Sequence, residues 1–393
     1  MTTTDATIPP VPGDPSAARR SHPLVIRAHG GPRERGRYYG VAAKDRILLS
    51  MENYERVYTT FAGLRWEEAT ALAETFVPVI SAWRPEYLEE MEGIALGAGV
   101  SFEDILALNL RTEILFSGKA RAIAEATGVR TPGECTAFCD LRGPEPVVGQ
   151  NWDWIPFSHD TVVVLEAVPE HGPRWVSVVE AGLLAKFGMN SAGVTVLTNA
   201  LVTSLDVGEP GVPYHLMLRA LLESESVVAA EAVLRDADRA SSANYLLVGE
   251  GRGVDAETRP GGGDEIAWQR VGQDGCLIHC NHFTSEESVF AKPGTDHGPR
   301  VMPDTLFRRE RALALAELMP TPSVAGWHEV LSDHANFPDA ICCHPDPAEH
   351  ELEQGSTVAS VVIEPAQRLM HLVLGHPCAV PRVTYDYREF FAA

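Results

Sequence analysis

The 393-residue chain holds no apolar run approaching the roughly 20 residues that cross a membrane as a helix. Basic residues are scarce: 32 Lys and Arg stand against 54 Asp and Glu, a net charge of -22. A surface of that sign repels phosphate backbones and anionic membranes, so neither nucleic acid nor a membrane is expected as a partner. Cysteine is scarce as well. The seven present (Cys135, Cys139, Cys276, Cys280, Cys342, Cys343 and Cys378) are odd in number and too sparse for a disulfide framework, so reduced thiols are expected. No internal repeat is visible and no glycine loop has the form that cradles phosphate; Gly261-Gly262-Gly263 reads as a flexible turn. No cofactor is expected. Residues 1–22, rich in Thr, Pro and Ala, lack the apolar stretch of a secretory signal and read as a disordered tail on a cytoplasmic protein.

What remains is ample for a core. The chain is 45% hydrophobic and 22% charged, enough for one large globular domain or two ordinary ones. Pro23 to His29 reads as a short strand. From Glu34 to about Ser117 the apolar spacing is helical, as in Tyr87, Met91, Ile94 and Ala95 and then Ile105, Leu108, Ile114 and Leu115. Residues 119–134 are polar, mixed in charge and end in Gly-Pro-rich sequence, an exposed connection. Beyond Glu134 the pattern turns to strands. Hairpins are predicted around Gly143-Pro144, His171-Gly172-Pro173 and Asn190-Ser191-Ala192-Gly193. Helices are predicted over 213–224, 227–237, 305–318 and 323–331, with further strands over 244–248, 276–279, 357–363 and 370–374. Blocks of hairpins and blocks of helices, without βαβ units, predict an α+β layered fold.

Cys135 opens a strand directly after the exposed Pro132-Gly133-Glu134 segment. A cysteine at such a junction can attack the carbonyl of the residue before it, and hydrolysis of the thioester left by this N-to-S acyl shift makes Cys135 a new N-terminus. The gain is concrete: a free α-amine has a pKa of about 8 and can take the thiol's proton, whereas an amide nitrogen is no base. Nucleophile and general base then occupy one residue.

The surrounding blocks carry a resemblance. They run Gly133-Glu134-Cys135-Thr136, Gly149-Gln150-Asn151-Trp152-Asp153, Glu180-Ala181-Gly182, Gly188 to Val194, and Thr198-Asn199-Ala200-Leu201. His279-Cys280-Asn281-His282 and Asn336 to Cys342 follow, and Leu108 to Glu113 precedes them. In this order and spacing the set resembles the acyl-coenzyme A:6-aminopenicillanic acid acyltransferase family, over roughly residues 80 to 375.

The resemblance implies a four-layer αββα N-terminal-nucleophile fold, made as a precursor and cut between Glu134 and Cys135. Residues 23–134 would form the pre-cleavage helical segment and 135–393 the catalytic segment, held together as one globular domain and, once cut, as a heterodimer. Cys135 matches the nucleophile and Asp153 the acid that holds the new α-amine. Asn281 matches an oxyanion donor. Asn199 falls where the wider class of cysteine amidases places another polar group near the tetrahedral intermediate. A carboxylate beside an α-ammonium tunes its pKa, and an amide aimed at the developing alkoxide contributes about 10²–10³ in rate. The implied activity is hydrolysis or transfer of the acyl group of a small amide or thioester, with a small-molecule donor and water or an amine as acceptor.

Two positions depart from the family pattern. Glu134 stands where its fungal members have glycine, and Glu353-Gln354-Gly355 replaces a Ser-Arg-Gly block, removing a basic partner for a substrate carboxylate. His279, His282 and Asn190 read as structural. Two other functions compete with the enzyme reading. Cys135-x3-Cys139, Cys276-x3-Cys280 and Cys342-Cys343-His344 offer thiolates and imidazole for structural zinc, but at spacings looser than the usual Cys-x2-Cys, so no metal ligand is assigned. A non-catalytic binding protein on the same fold is the other; the joint presence of Cys135, Asp153 and Asn281 argues against it.

Overall fold

The β-branched and alternating runs build two sheets in the computed structural model, which describes residues 23–117, 120, 122, 135–272 and 275–392. The expected tail (1–22), Glu134 and most of the 119–134 connection lie outside the described residues. The larger sheet has eight strands: β1 (Val25–Gly30), β4 (Val162–Pro169), β5 (Trp175–Glu180), β6 (Phe187–Asn190), β7 (Thr195–Ala200), β8 (Ala243–Gly249), β9 (Arg252–Thr258) and β10 (Ile266–Val271), in that order. Its strands pair antiparallel except β1, which lies parallel to β4. The smaller sheet has the order β11 (Cys276–His279), β2 (Cys135–Asp140), β3 (Val147–Trp154), β12 (Ser356–Glu364), β13 (Leu369–Leu374) and β14 (Val383–Asp386).

The sheets face each other, with β2 against β7 and β8. Helices cover both outer faces. On the larger sheet, α1 (Pro32–Ala42) packs over β1 and β4, while two further helices, Tyr214–Leu222 and Val227–Asp236, cover β6 to β8. On the smaller, helices Thr305–Glu317 and Val324–Leu331 cover β11, β3 and β12. The result is the helix–sheet–sheet–helix layering expected. Because both faces of each sheet are covered, β2, β3 and β5 are buried along their whole length. Alternation still sorts their side chains. Cys135, Ala137 and Cys139 belong to the core between the sheets, and Phe138 to the cluster beneath the outer helices, where its ring stacks on Trp327 at 3.6 Å between centroids.

The N-terminal helices are held by close backbone approach and by buried charge. Against α1 lies α2 (Pro85–Ala98). A Cβ at Gly36 would come within 2.1 Å of the Glu90 carbonyl oxygen, and one at Gly40 within 2.1 Å of that of Ile94. Only glycine admits that packing. Glu90 itself is buried between Arg35 and Arg219, the latter donating to both its oxygens at 3.0 and 2.9 Å. Burial pushes the Glu90 carboxyl upward, but the two guanidiniums outweigh it and hold the group below its ordinary value.

Three strands exceed the sequence reading: β9, β10 and β14. β9 (Arg-Gly-Val-Asp-Ala-Glu-Thr) carries two acidic side chains, Asp255 and Glu257, and both are buried.

Candidate active site around Cys135

Cys135 begins β2 with its backbone engaged on both sides. Its N–H donates to Asn281 Oδ1 at 2.8 Å. Its carbonyl accepts from Asn199 Nδ2 at 3.1 Å and from Arg308 Nη1 at 2.9 Å. The Arg308 fork also reaches Thr136 Oγ1 at 3.1 Å and Asn281 Oδ1 at 3.1 Å, and its Nε pairs with Asp304. Arg308 is fully buried, and so are Asn199 and Asn281. One guanidinium therefore ties the first residue of β2 to the loop after β11.

The thiol lies between opposing influences. Burial pushes it up to about 11; the Lys186 ammonium lowers it, the Asp153 carboxylate raises it, and the Asp153 amide and Arg308 lower it again. Asp153 is the neighbour supplied by β3, whose Trp152 pairs with Cys135. Its Oδ1 accepts from Thr357 Oγ1 at 2.6 Å. Its Oδ2 is buried with no hydrogen-bond partner among the described residues. Burial pushes the Asp153 carboxyl up to about 7, against the pull of Arg308 and Thr357. Lys186 moves the other way, down to about 7, through burial and the nearby Arg111. Its ammonium sits 4.4 Å from the centroid of the Trp152 ring. Near neutral pH both groups are thus close to changing charge.

A small pocket is lined by Cys135 together with Trp152, Trp154, Phe116, Tyr214, Lys186 and Asp153. The segment before the connection forms its far side. Arg111 there pairs with Glu180 and donates to Tyr54 OH, and its guanidinium lies over Trp154 at 4.7 Å. Glu113 accepts from Tyr214 N and Ser241 Oγ, both at 2.8 Å, and burial pushes it up to about 7.

All four site residues read from the sequence, Cys135, Asp153, Asn199 and Asn281, meet here. Their orientation differs in one respect from what the resemblance implied. Asn281 presents its oxygen to Cys135, because the two groups facing it, the Cys135 N–H and Arg308, are both donors; its Nδ2 is taken by the Ala200 carbonyl at 3.0 Å. Asn199 likewise spends its Nδ2 on the carbonyls of Cys135 and His279. The structural readings of the neighbours agree with their bonding. His279 pairs with Glu257 at 2.8 Å and His282 with Thr305 Oγ1 at 2.9 Å. Asn190 ties its hairpin to the Leu222 and Ser224 carbonyls.

Sequence reading missed Arg308, Lys186 and Thr357. Arg308 is one of three arginines in Arg308-Arg309-Glu310-Arg311, with no local mark that it alone turns inward. Lys186 did carry a signal, a single cation inside the apolar run Ala181 to Met189.

The sequence profile of the acyl-coenzyme A:6-aminopenicillanic acid acyl-transferase family matches residues 141–379. The chain belongs to this family. One relative, the acyl-coenzyme A:6-aminopenicillanic-acid-acyltransferase 40 kDa form of Emericella nidulans, is 28% identical over 362 residues, covering 90% of this chain and 93% of its own. Two solved structures show weaker likeness. Penicillin V acylase from Agrobacterium tumefaciens has a TM-score of 0.40 at 16% identity, over 64% of this chain and 84% of its own. A mutant conjugated bile acid hydrolase from Clostridium perfringens has a TM-score of 0.41 at 11% identity, over 65% of this chain and 97% of its own. Among the described residues no helix is long and apolar enough to cross a membrane.

Proposed function

We propose that the chain is a cysteine enzyme that cuts itself between Glu134 and Cys135 and then transfers the acyl group of a small amide or thioester to water or an amine. The observation that carries this reading is the clamp on Cys135 at the wall of the pocket: N–H on Asn281 Oδ1, carbonyl on Asn199 and Arg308. A merely structural cysteine needs no such hold on its own backbone.

In the first stage the Cys135 sulfur attacks the Glu134 carbonyl carbon, the peptide nitrogen leaves as the Cys135 amine, and water hydrolyses the thioester to free the Glu134 carboxylate. Residues 23–134 and 135–393 then remain associated through the shared core, to which Ile26, Tyr39 and Tyr54 contribute beside Cys135 and Trp152. In the second stage the freed α-amine takes the thiol proton. The thiolate attacks the substrate carbonyl, and the α-ammonium returns the proton to the departing amine or thiol. Water or an acceptor amine then releases the acyl group from Cys135. Asn281 Oδ1, which accepts from the Cys135 N–H of the uncut chain, then accepts from the α-amine in both its states. Asp153, with one oxygen unengaged, supplies the negative charge that favours the ammonium. The aromatic walls suit an apolar acyl chain.

Intact mass spectrometry of wild type and Cys135→Ala tests the proposal. Wild type is expected as two fragments breaking between Glu134 and Cys135, and Cys135→Ala as one uncut, inactive chain. An uncut wild type that nevertheless turns over substrate would overturn the self-cleavage mechanism.

A further inference from the structure

Away from the pocket, four side chains that the mechanism does not use converge: His334 and His344, half-buried, with buried Cys342 and exposed Cys378. Their ligand atoms all lie within 4.8 Å of one another. Cys342 Sγ is 3.7 Å from Cys378 Sγ. His344 Nε2 is 3.4 Å from Cys342 Sγ, 3.5 Å from Cys378 Sγ and 3.1 Å from His334 Nε2. We propose that these four residues form a closed, four-coordinate site for a thiophilic divalent cation, with zinc the fitting ion.

The distances make the case. Zinc binds thiolate sulfur at about 2.3 Å and imidazole nitrogen at about 2.0–2.1 Å, so the edges of its tetrahedron are about 3.8 Å for S–S, about 3.6 Å for S–N and about 3.4 Å for N–N. Four of the six edges are 3.7, 3.4, 3.5 and 3.1 Å and follow that pattern, and the other two lie within the common 4.8 Å. Hydrogen bonding explains it poorly. A ring nitrogen has one in-plane direction for a proton or a lone pair, yet His344 Nε2 meets three neighbours. A cation at their centre needs only one bond from each. Two thiolates and two imidazoles are a soft donor set that selects zinc over calcium or magnesium. Two rings flank His344: that of His376 stacks on it at 4.0 Å and that of Phe337 lies 5.3 Å away.

With four protein ligands and no place left for water, the role is structural. The site joins two stretches far apart in sequence, the segment 334–344 after helix Val324–Leu331 and the loop after β13. The first of these runs directly to the active site. Cys343 N donates to Thr357 Oγ1 at 2.9 Å, Thr357 N donates back to the Cys343 carbonyl at 3.0 Å, and Thr357 Oγ1 donates to Asp153 Oδ1. The ion thus holds the segment that positions Thr357, and through it Asp153. The sequence offered only Cys342-Cys343-His344 of this set. Cys135, Cys139, Cys276 and Cys280, weighed with it as zinc ligands, take no part.

The test is elemental analysis of the full-length protein purified without chelator, followed by cobalt titration of the chelator-stripped protein. One zinc per chain is expected, with tetrahedral cobalt absorption and a thiolate-to-cobalt charge-transfer band. Cys378→Ser, at an exposed position where folding tolerates the change, is expected to lose at least tenfold in retained zinc and to lose the charge-transfer intensity from one sulfur. Cys276→Ser is expected to keep both. Metal-free wild type that shows no such cobalt spectrum overturns the proposal, as does a Cys342–Cys378 disulfide in peptide maps of the native protein.

Discussion

The side-chain oxygen of Asn281 lies 2.8 Å from the backbone nitrogen of Cys135, 146 residues away in the chain. The same oxygen accepts from Arg308, so its orientation is fixed by two donors. In the uncut chain that nitrogen is an amide; after cleavage at Cys135 it would be the α-amine, and the same oxygen can accept from either. Asn281 is therefore read as the group that holds the reacting nitrogen, with Asn199 and Arg308 holding the carbonyl.

Asn281→Ala removes an acceptor from two buried donors. Leaving such groups unsatisfied costs about 1–3 kcal/mol each, which corresponds to roughly 10- to 100-fold where the arrangement matters to rate. Both self-cleavage and turnover are expected to slow by that factor. A time course of fragment appearance by mass spectrometry, with steady-state kinetics on the processed fraction, checks this; wild-type values for both would remove Asn281 from the mechanism.

Asp153 titrates near neutrality, which gives a prediction with two signs. Its carboxylate raises the Cys135 thiol, so Asp153→Asn is expected to move downward the pH at which Cys135 is alkylated. Peptide-resolved iodoacetamide labelling against pH reads this at Cys135 alone. Stability shifts as well. Burial raises the Asp153 carboxyl from 3.8 to about 7, so folding favours its protonated form. That contribution is fully present below about pH 4 and is lost as pH rises through 7. The fall in melting temperature between pH 5 and pH 8 should therefore narrow in Asp153→Asn, and an unchanged or wider fall would contradict the assignment.

Glu90→Gln tests what secures the N-terminal helices. It removes the carboxylate that Arg35 and Arg219 share, leaving Arg219 with Glu223 alone, a loss expected to cost about 3–5 kcal/mol. Glu92→Gln breaks the Arg33–Glu92 pair, whose side chains are 65% and 44% exposed, and is expected to cost under about 1 kcal/mol. Equal effects in denaturant titrations would show that burial does not govern these pairs.

Local pattern is enough for much of the fold. β4 and β5 are rich in β-branched residues and flank a Gly-Pro turn, and the helices over 305–317 and 324–331 repeat their apolar residues at helical spacing. Those signals live within a dozen residues, so they are legible in a sequence. β9 was not, because Asp255 and Glu257 look like surface residues until His279, 22 residues beyond Glu257, is brought to 2.8 Å and neutralises the cost of burying that carboxylate.

The same division applies to the site. Cys135, Asp153, Asn199 and Asn281 were legible as blocks in a fixed order, since motif and spacing survive in one dimension. Which atom of each faces the others was not, and neither were Arg308, Lys186 or the grouping of His334 and Cys378 with Cys342 and His344. An arginine on a helix or a cysteine on a loop carries no local mark of the residue it will meet. Sequence by itself determined the layers and the set of blocks that meet around Cys135. Tertiary structure decided the orientation of the residues in those blocks, because hydrogen bonds and ligand distances are fixed only when strands far apart in the chain are laid side by side.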